Sequence, residues 1–156
     1  MKRPKVLIGR AESIALPAFD IAELPARIDT GAKTSSIWAS EIREKDGVLS
    51  YVLFDQSSAH YTGELHSTVV FEKTMILSSI GEAQERYKIR LLIKLKGKKI
   101  RARFTLADRS KQVYPVLVGR NVLRGKFIVD VQGGEPLYQE ERQQSQALKS
   151  NLVPRG

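Results

Sequence analysis

The chain has 156 residues, 42% of them hydrophobic, with no cysteine and a formal charge of +9. That length and composition fit one globular domain with its own core and exclude a disordered chain. The absence of cysteine excludes a disulfide framework and a thiolate nucleophile, while the charge favours acidic partners such as nucleic acid, a ribosome or an acidic peptide.

The N-terminus, Met1-Lys2-Arg3-Pro4-Lys5, is basic, but the apolar run after it is only Val6-Leu7-Ile8. That run is too short for a signal peptide, and no other run approaches transmembrane length. A cytoplasmic location without a membrane partner is expected. Lys5 to Gly9 reads as a first strand. Leu16-Pro17 and Leu24-Pro25 read as turns, because proline restricts the residue before it and cannot donate to a ladder. Ala18 to Glu23 between them is a loose turn or an edge strand. Ala26 to Asp29 reads as a strand, and Ser35 to Ile42 as another carrying Ile37 and Trp38.

Asp46-Gly47 is a hairpin signal, followed by a strand from Val48 to Phe54. Asp55 to Gly63 is polar and reads as a loop. Glu64 to Leu77 holds one or two strands. Ile89, Leu91, Ile93 and Leu95 then alternate with Arg90, Leu92, Lys94 and Lys96. After Gly97, Ile100, Ala102, Phe104 and Leu106 alternate with Arg101, Arg103 and Thr105. This period of two predicts a β-hairpin with one buried face and one basic face.

Val113 to Val118 reads as an apolar strand, at an edge or a bulge because of Pro115. Arg120 to Arg124 has room for about one helical turn closed by Gly125, and Phe127 to Val131 is a last strand. The chain divides into a domain over 1–134, a polar tail over 135–150 and a segment over 151–156. The tail is a frayed helix or a disordered segment. Asn151-Leu152-Val153-Pro154-Arg155-Gly156 looks like the remnant of a thrombin-cleavable expression tag. Without Arg155 there are 25 basic and 17 acidic residues, or +8.

The stretch from Ala26 to Ser36 carries the chemistry. Asp29 ends an apolar approach through Ile28. Thr30 is β-branched and stiff at χ1, which suits an aimed hydroxyl. Gly31 lets the backbone turn and approach another group, and Ala32 adds no bulk. The bland reading is a turn in which Asp29 caps backbone N–H groups.

Ile28-Asp29-Thr30-Gly31-Ala32 resembles the active-site loop of retropepsin-like aspartic proteases. Tyr114-Pro115-Val116-Leu117-Val118-Gly119-Arg120-Asn121 resembles that family's later motif, an apolar strand ending in Gly-Arg-Asn before a short helix. Ser78-Ser79-Ile80-Gly81 sits where the family carries its flap tip. With Gly9-Arg10-Ala11-Glu12, Leu16-Pro17 and Thr105-Leu106-Ala107-Asp108-Arg109-Ser110, the chain is most similar to one bacterial family, the RimB type, also labelled "ATP-dependent zinc protease". The resemblance covers roughly residues 5 to 132. It implies an all-β fold, a retropepsin-like closed β-barrel subunit with one short C-terminal helix.

It also implies an aspartic peptidase. Two carboxylates about 3 Å apart share one proton, one activating water while the other protonates the carbonyl oxygen. This chain holds one such loop, so the chemistry needs a two-fold homodimer with Asp29 of each copy on the axis. In the family the motif's threonine interlocks across the dimer, a role that falls to Thr30, next to Gly31. The family's arginine braces the loop through an ion pair; for Arg120, between Gly119 and Asn121, the acidic candidates are Asp108 and Asp130. Asn121 is expected to cap or hydrogen-bond at the start of the short helix.

Ala32, Lys33, Ser79, Ile80 and Gly81 are the substrate-binding candidates. Retroviral proteases carry an aspartate at the position of Lys33. A lysine there favours carboxylates in the cleft, and its alternative is a solvated side chain. The flap segment is less glycine-rich than retroviral flaps, and its alternative is an ordinary hairpin turn. Substrates are expected to be peptides or proteins, with glutamate-rich ones favoured. The RimB type is associated with a RimK-type glutamate ligase, which adds a functional partner.

The inherited label implies zinc and ATP, and the residues support neither. His60 and His66 are the only histidines; no His-Glu-x-x-His helix and no phosphate-binding glycine-lysine loop occurs. A site from His60, Glu64 and His66 is the one zinc arrangement to weigh, and the expectation is no metal and no cofactor. The alternative function is a non-catalytic basic module that docks on RNA, ribosome or an enzyme partner through the Arg90 to Arg103 hairpin, though without exposed aromatics for base stacking.

Overall fold

The computed structural model describes residues 3–77 and 80–152. Strands β1 (Val6–Ile8), β2 (Ala11–Leu16), β3 (Ile21–Ile28), β4 (Ser35–Lys45) and β5 (Val48–Leu53) come first. Strands β6 (Leu65–Thr68), β7 (Glu72–Leu77), β8 (Ala83–Leu95) and β9 (Lys98–Ala107) follow. β10 (Val116–Val118), helix α1 (Arg120–Leu123), β11 (Phe127–Val129) and helix α2 (Tyr138–Leu152) complete the order.

The alternation around Gly97 becomes the β8–β9 hairpin, with Ile93 opposite Ile100 and Leu91 opposite Ala102. Ile89, Leu91, Ile93, Leu95, Ile100, Phe104 and Leu106 are all buried. Burying each such side chain favours folding by about 1.5–3 kcal/mol. Lys96 and Gly97 both take positive φ, as do Asp46 and Gly47 in the β4–β5 turn. That geometry matches the right-handed twist of the flanking strands.

Strands β10, β3, β2, β8, β9 and β4 pair in cyclic order. β10 lies parallel to β3 on one side and antiparallel to β4 on the other, which closes a six-stranded barrel. The fold is therefore the all-β barrel expected, with α1 as its short helix after the Gly-Arg-Asn segment. β4 bulges between Ser40 and Arg43 as it runs out of the barrel to pair with β5, and β7 extends outward from β8. β1 and β11 form a separate parallel pair.

Two local expectations change. Pro25 lies inside β3 and not in a turn. The β2–β3 pairing runs through Ile28 N–H donating to Arg10 O, and pairing with β10 starts only at Ala26. Two strand positions alternate direction, so Pro25 points its ring nitrogen away from β2 to a side where no partner has begun. Second, the apolar run Val113 to Val118 yields strand only over Val116–Val118.

Glycines close the barrel end. A Cβ on Gly9 would lie 1.9 Å from the carbonyl carbon of Gly133, and one on Gly134 would lie 2.3 Å from Ala11 O. Only glycine permits these backbones to meet. Glu12, almost wholly buried, accepts from Gly9 N–H at 2.7 Å and lies 3.5 Å from Lys96 Nζ. No helix among the described residues is long and apolar enough to cross a membrane.

Candidate active site

Asp29 follows the last residue of β3. Its N–H donates to Val118 O at 2.8 Å, so the neighbouring strand β10 fixes the backbone on which the carboxylate stands. Gly31 N–H donates to Asp29 Oδ1 at 2.9 Å. The capping turn and the aimed carboxylate are thus one arrangement: the turn holds one oxygen and leaves Oδ2 without a donor among the described residues. Asp29 and Ala32 are half-buried, and Thr30, Gly31 and Lys33 are exposed.

The Gly119-Arg120-Asn121 segment packs directly behind this loop. Arg120 N–H donates to Ala32 O at 2.8 Å. Arg120 Nη1 donates to Thr30 O and Gly31 O at 3.2 and 3.0 Å. Arg120 therefore braces the loop, but through backbone carbonyls. Asp108 accepts from Ser110 N–H and Asp130 from Gln132 N–H, each serving its own turn. A Cβ on Gly119 would lie 2.4 Å from Thr34 O, so the two segments touch backbone to backbone.

Ser35, fully buried, is the hub of this contact. Its hydroxyl donates to Asn121 Oδ1 at 2.7 Å and accepts from Gly119 N–H at 2.9 Å. Asn121 Nδ2 donates to Arg103 O at 2.9 Å. Asn121 does not cap α1, whose N-cap is Gly119 without a side-chain bond. It ties the helix to β4 and β9 instead.

Two of the flap candidates lie between β7 and β8. Ser79 falls outside the described residues. Ile80 is exposed, and Gly81 takes φ of +83° at the turn. The structure brings Asp29, Thr30, Gly31, Ala32, Gly119, Arg120 and Asn121 together, while Ile80 and Gly81 belong to the β7–β8 turn.

His60 and His66 do not converge on a metal. The His60 ring packs on Phe54 at 5.8 Å, and His66 packs between Phe19 and Tyr51 at 4.7 and 5.6 Å. Among the described residues no group of three or more histidines and carboxylates gathers as ligands. These residues do not fit a zinc centre.

Four further residues connect to the strands that carry this loop: Arg27 precedes Asp29 in β3, Arg109 donates to Ser36 Oγ of β4, and Arg10 and Tyr114 both bond Glu141. One sequence signal pointed to Arg27. It stands two residues before Asp29 in an extended segment, and side chains two apart in a strand share a face.

Residues 7–135 match the model of the RimB-like family, described as retropepsin-like aspartic endopeptidase RimB. A probable alpha-L-glutamate ligase of Shewanella pealeana is 36% identical over 135 residues, covering 83% of this chain and 29% of that protein. One from Desulfotalea psychrophila is 32% identical over 130 residues, covering 81% of this chain and 28% of that protein. The chain spans under a third of the length of these curated relatives. A solved structure of a protein of unknown function (DUF785) from Legionella pneumophila is 26% identical, with a TM-score of 0.59. That likeness covers 83% of this chain and 95% of the other.

Proposed function

The chain belongs to the RimB-like family of retropepsin-like aspartic endopeptidases, and we propose that it is a homodimeric aspartic peptidase in which Asp29 of each copy supplies half of a carboxylate dyad. The observation that carries this reading is the built loop. Asp29 Oδ1 is held by Gly31 N–H while Arg120 grips the carbonyls of Thr30 and Gly31. Such a loop, set against a second copy, brings two carboxylates close enough to share one proton. The ionised member takes a proton from water as it attacks the peptide carbonyl. The protonated member gives its proton to the carbonyl oxygen.

The β1–β11 pair supports the dimer. Leu7 and Ile128 are Cα partners, and both are exposed, as is Val131. A two-fold interface covers such a face with its own copy. The β7–β8 arm supports a flap, since Met75, Ile76, Leu77 and Ile80 are exposed on it with a glycine at the turn.

Glutamate-rich chains are the proposed substrates. Lys33 is exposed beside the loop, and relatives that share this domain are named probable glutamate ligases. A glutamate ligase is accordingly the proposed functional partner.

Mixing wild-type and Asp29→Asn subunits tests the dyad. With equal amounts and free exchange, activity falls to about a quarter of wild type if both subunits must supply the carboxylate. A fall to only about a half, as independent subunits would give, contradicts the shared site.

A second reading, a basic docking module, has its own observation. A groove of about 930 Å³ is lined by Arg3, Lys5, Lys94, Lys98, Lys99, Arg124 and Lys126, with no carboxylate among its described lining residues. Lys98 is anchored there by Pro4 O and Lys126 O. RNA binding that steepens as salt is lowered and is abolished by reversing Lys94 and Lys99 favours this reading.

A further inference from the structure

Arg27 and Asp29 lie two residues apart at the end of β3, with Ile28 between them turned into the core. Their side chains therefore leave the same face. Leu117 of β10 is the Cα partner of Arg27, and Ser36 of β4 is the Cα partner of Leu117. One row thus crosses three strands beside the candidate catalytic carboxylate. Arg109 joins the row from its far end, donating from Nη1 to Ser36 Oγ at 3.3 Å and from Nε to Tyr114 O at 2.9 Å.

Both acceptors of Arg109 are uncharged. Burial pushes its pKa down, and the charge of Arg27 pushes it the same way. Neither arginine has an ion-pair partner among the described residues. Two guanidinium groups on one row of the sheet, neither in an ion pair among the described residues, are arranged for an anion.

A carboxylate already stands at the edge of this cluster. Glu141 of α2 accepts two parallel bonds from Arg10, at 2.8 Å each, and a third from Tyr114 O–H at 2.6 Å. Arg10 belongs to the same region, because its carbonyl accepts Ile28 N–H, next to Asp29. Arg10 first, and the charge of Arg27 as well, hold the Glu141 carboxyl below its usual range. The Arg10 guanidinium also lies over the Tyr138 ring. α2 begins after residue 135, where the family match ends. The cations belong to the shared domain, and the carboxylate comes from a helix beyond it.

We infer that Arg10, Arg27, Arg109 and Tyr114 form a carboxylate subsite beside Asp29 that takes a glutamate side chain of the substrate, and that Glu141 is its internal occupant. The inference rests on the peptidase reading and names the position at which that reading's acidic substrate is recognised. The guanidinium fork matches a carboxylate with two parallel bonds. A glutamine in the same place would leave the arginines without their charge partner, so the subsite discriminates between two side chains of nearly equal size. Because Arg10 and Tyr114 can hold one carboxylate at a time, α2 and the substrate compete.

The test is binding, which does not depend on turnover. Two peptides that differ by one glutamate-to-glutamine exchange are titrated into the Asp29→Asn protein and followed by fluorescence anisotropy. The expected preference for glutamate is on the order of tenfold or more. Adding Arg27→Gln should collapse that preference, and Arg27→Lys should restore part of it. Adding Glu141→Gln should tighten the glutamate peptide. An unchanged preference with Arg27→Gln, in a variant whose melting temperature matches its parent, overturns the subsite. Unchanged or weaker binding with Glu141→Gln overturns the internal occupant. Cleavage by wild type with no effect of Arg27 on selectivity leaves the peptidase standing and removes the subsite. Arg27-dependent binding without any cleavage does the reverse.

Discussion

Ser35 and Asn121 are joined by a hydrogen bond of 2.7 Å between residues 86 positions apart, and the same serine oxygen accepts Gly119 N–H. This single buried hydroxyl couples the strand after the Asp29 loop to the segment that braces it. In Ser35→Ala both Gly119 N–H and Asn121 Oδ1 lose their partner. Gly119 N–H is buried, so leaving it unpaired costs about 1–3 kcal/mol, while the exposed Asn121 can turn to water. The expected result is a melting temperature lower by several degrees, read by calorimetry, with peptidase activity reduced in the protein that remains folded.

Arg120 should separate bracing from folding. It is exposed, and its bonds go to the carbonyls of Thr30 and Gly31. Arg120→Ala is expected to lower stability by about 1 kcal/mol. Its larger effect should be on kcat, because the loop that aims Asp29 loosens. Arg120→Lys keeps the charge but cannot repeat the planar donor group, so it should recover little. Full recovery by lysine would mean that charge alone matters at this position.

Gly119→Ala should be worse than either. The added Cβ would meet Thr34 O at 2.4 Å and Ala32 O at 2.8 Å, both backbone atoms that cannot step aside. Overpacking against main chain is expected to cost about 3 kcal/mol, visible as a shifted denaturant midpoint.

The docking of α2 should depend on acid. Glu141 has its carboxyl pKa lowered in the fold, chiefly by Arg10 and then by Tyr114 and Arg27. A lowered carboxyl contributes stability that is full above its unfolded value, 4.5 for an ordinary glutamate, and is lost as pH falls through the folded value. Arg10 is raised and Tyr114 is raised, so both keep one charge state across that window and Glu141 alone titrates. Hydrogen exchange over residues 138–150, taken relative to the intrinsic rate at each pH, should rise as pH falls below about 4.5. In Glu141→Gln it should be high already at neutral pH and insensitive to acid.

The parts of the fold legible in the sequence are those where one physical pattern decides the outcome. Period-two alternation on both sides of Gly97 marked β8 and β9, and Asp46-Gly47 marked the β4–β5 turn. Pro25 misled because a single residue type says nothing about which side of a strand has a partner. α2 was one of two alternatives for the tail, and its sequence has little apolar periodicity. What holds it is polar: Glu141 on Arg10 and Tyr114, Leu137 N–H on the Tyr114 hydroxyl, and Gln144 on Lys111 O. Such long-range bonds leave no local pattern.

At the candidate site, the loop from Asp29 to Ala32 and its Gly119-Arg120-Asn121 support were readable as motifs, and the structure places them in contact. The partners were less readable. An acidic partner was expected for Arg120, yet its guanidinium reaches carbonyls, because Asp108 and Asp130 are each occupied by a local turn. The Arg27–Arg109 row depends on strand register across β3, β10 and β4, which one sequence does not encode visibly.

The most direct measurement is cleavage of a glutamate-rich peptide library by wild-type protein and by Asp29→Asn, from acidic to neutral pH. Cut peptides are expected with wild type, none with Asp29→Asn, and glutamate enriched beside the cut. Equal behaviour of the two proteins at every pH would contradict that expectation, and the Asp29 loop would then be architecture alone.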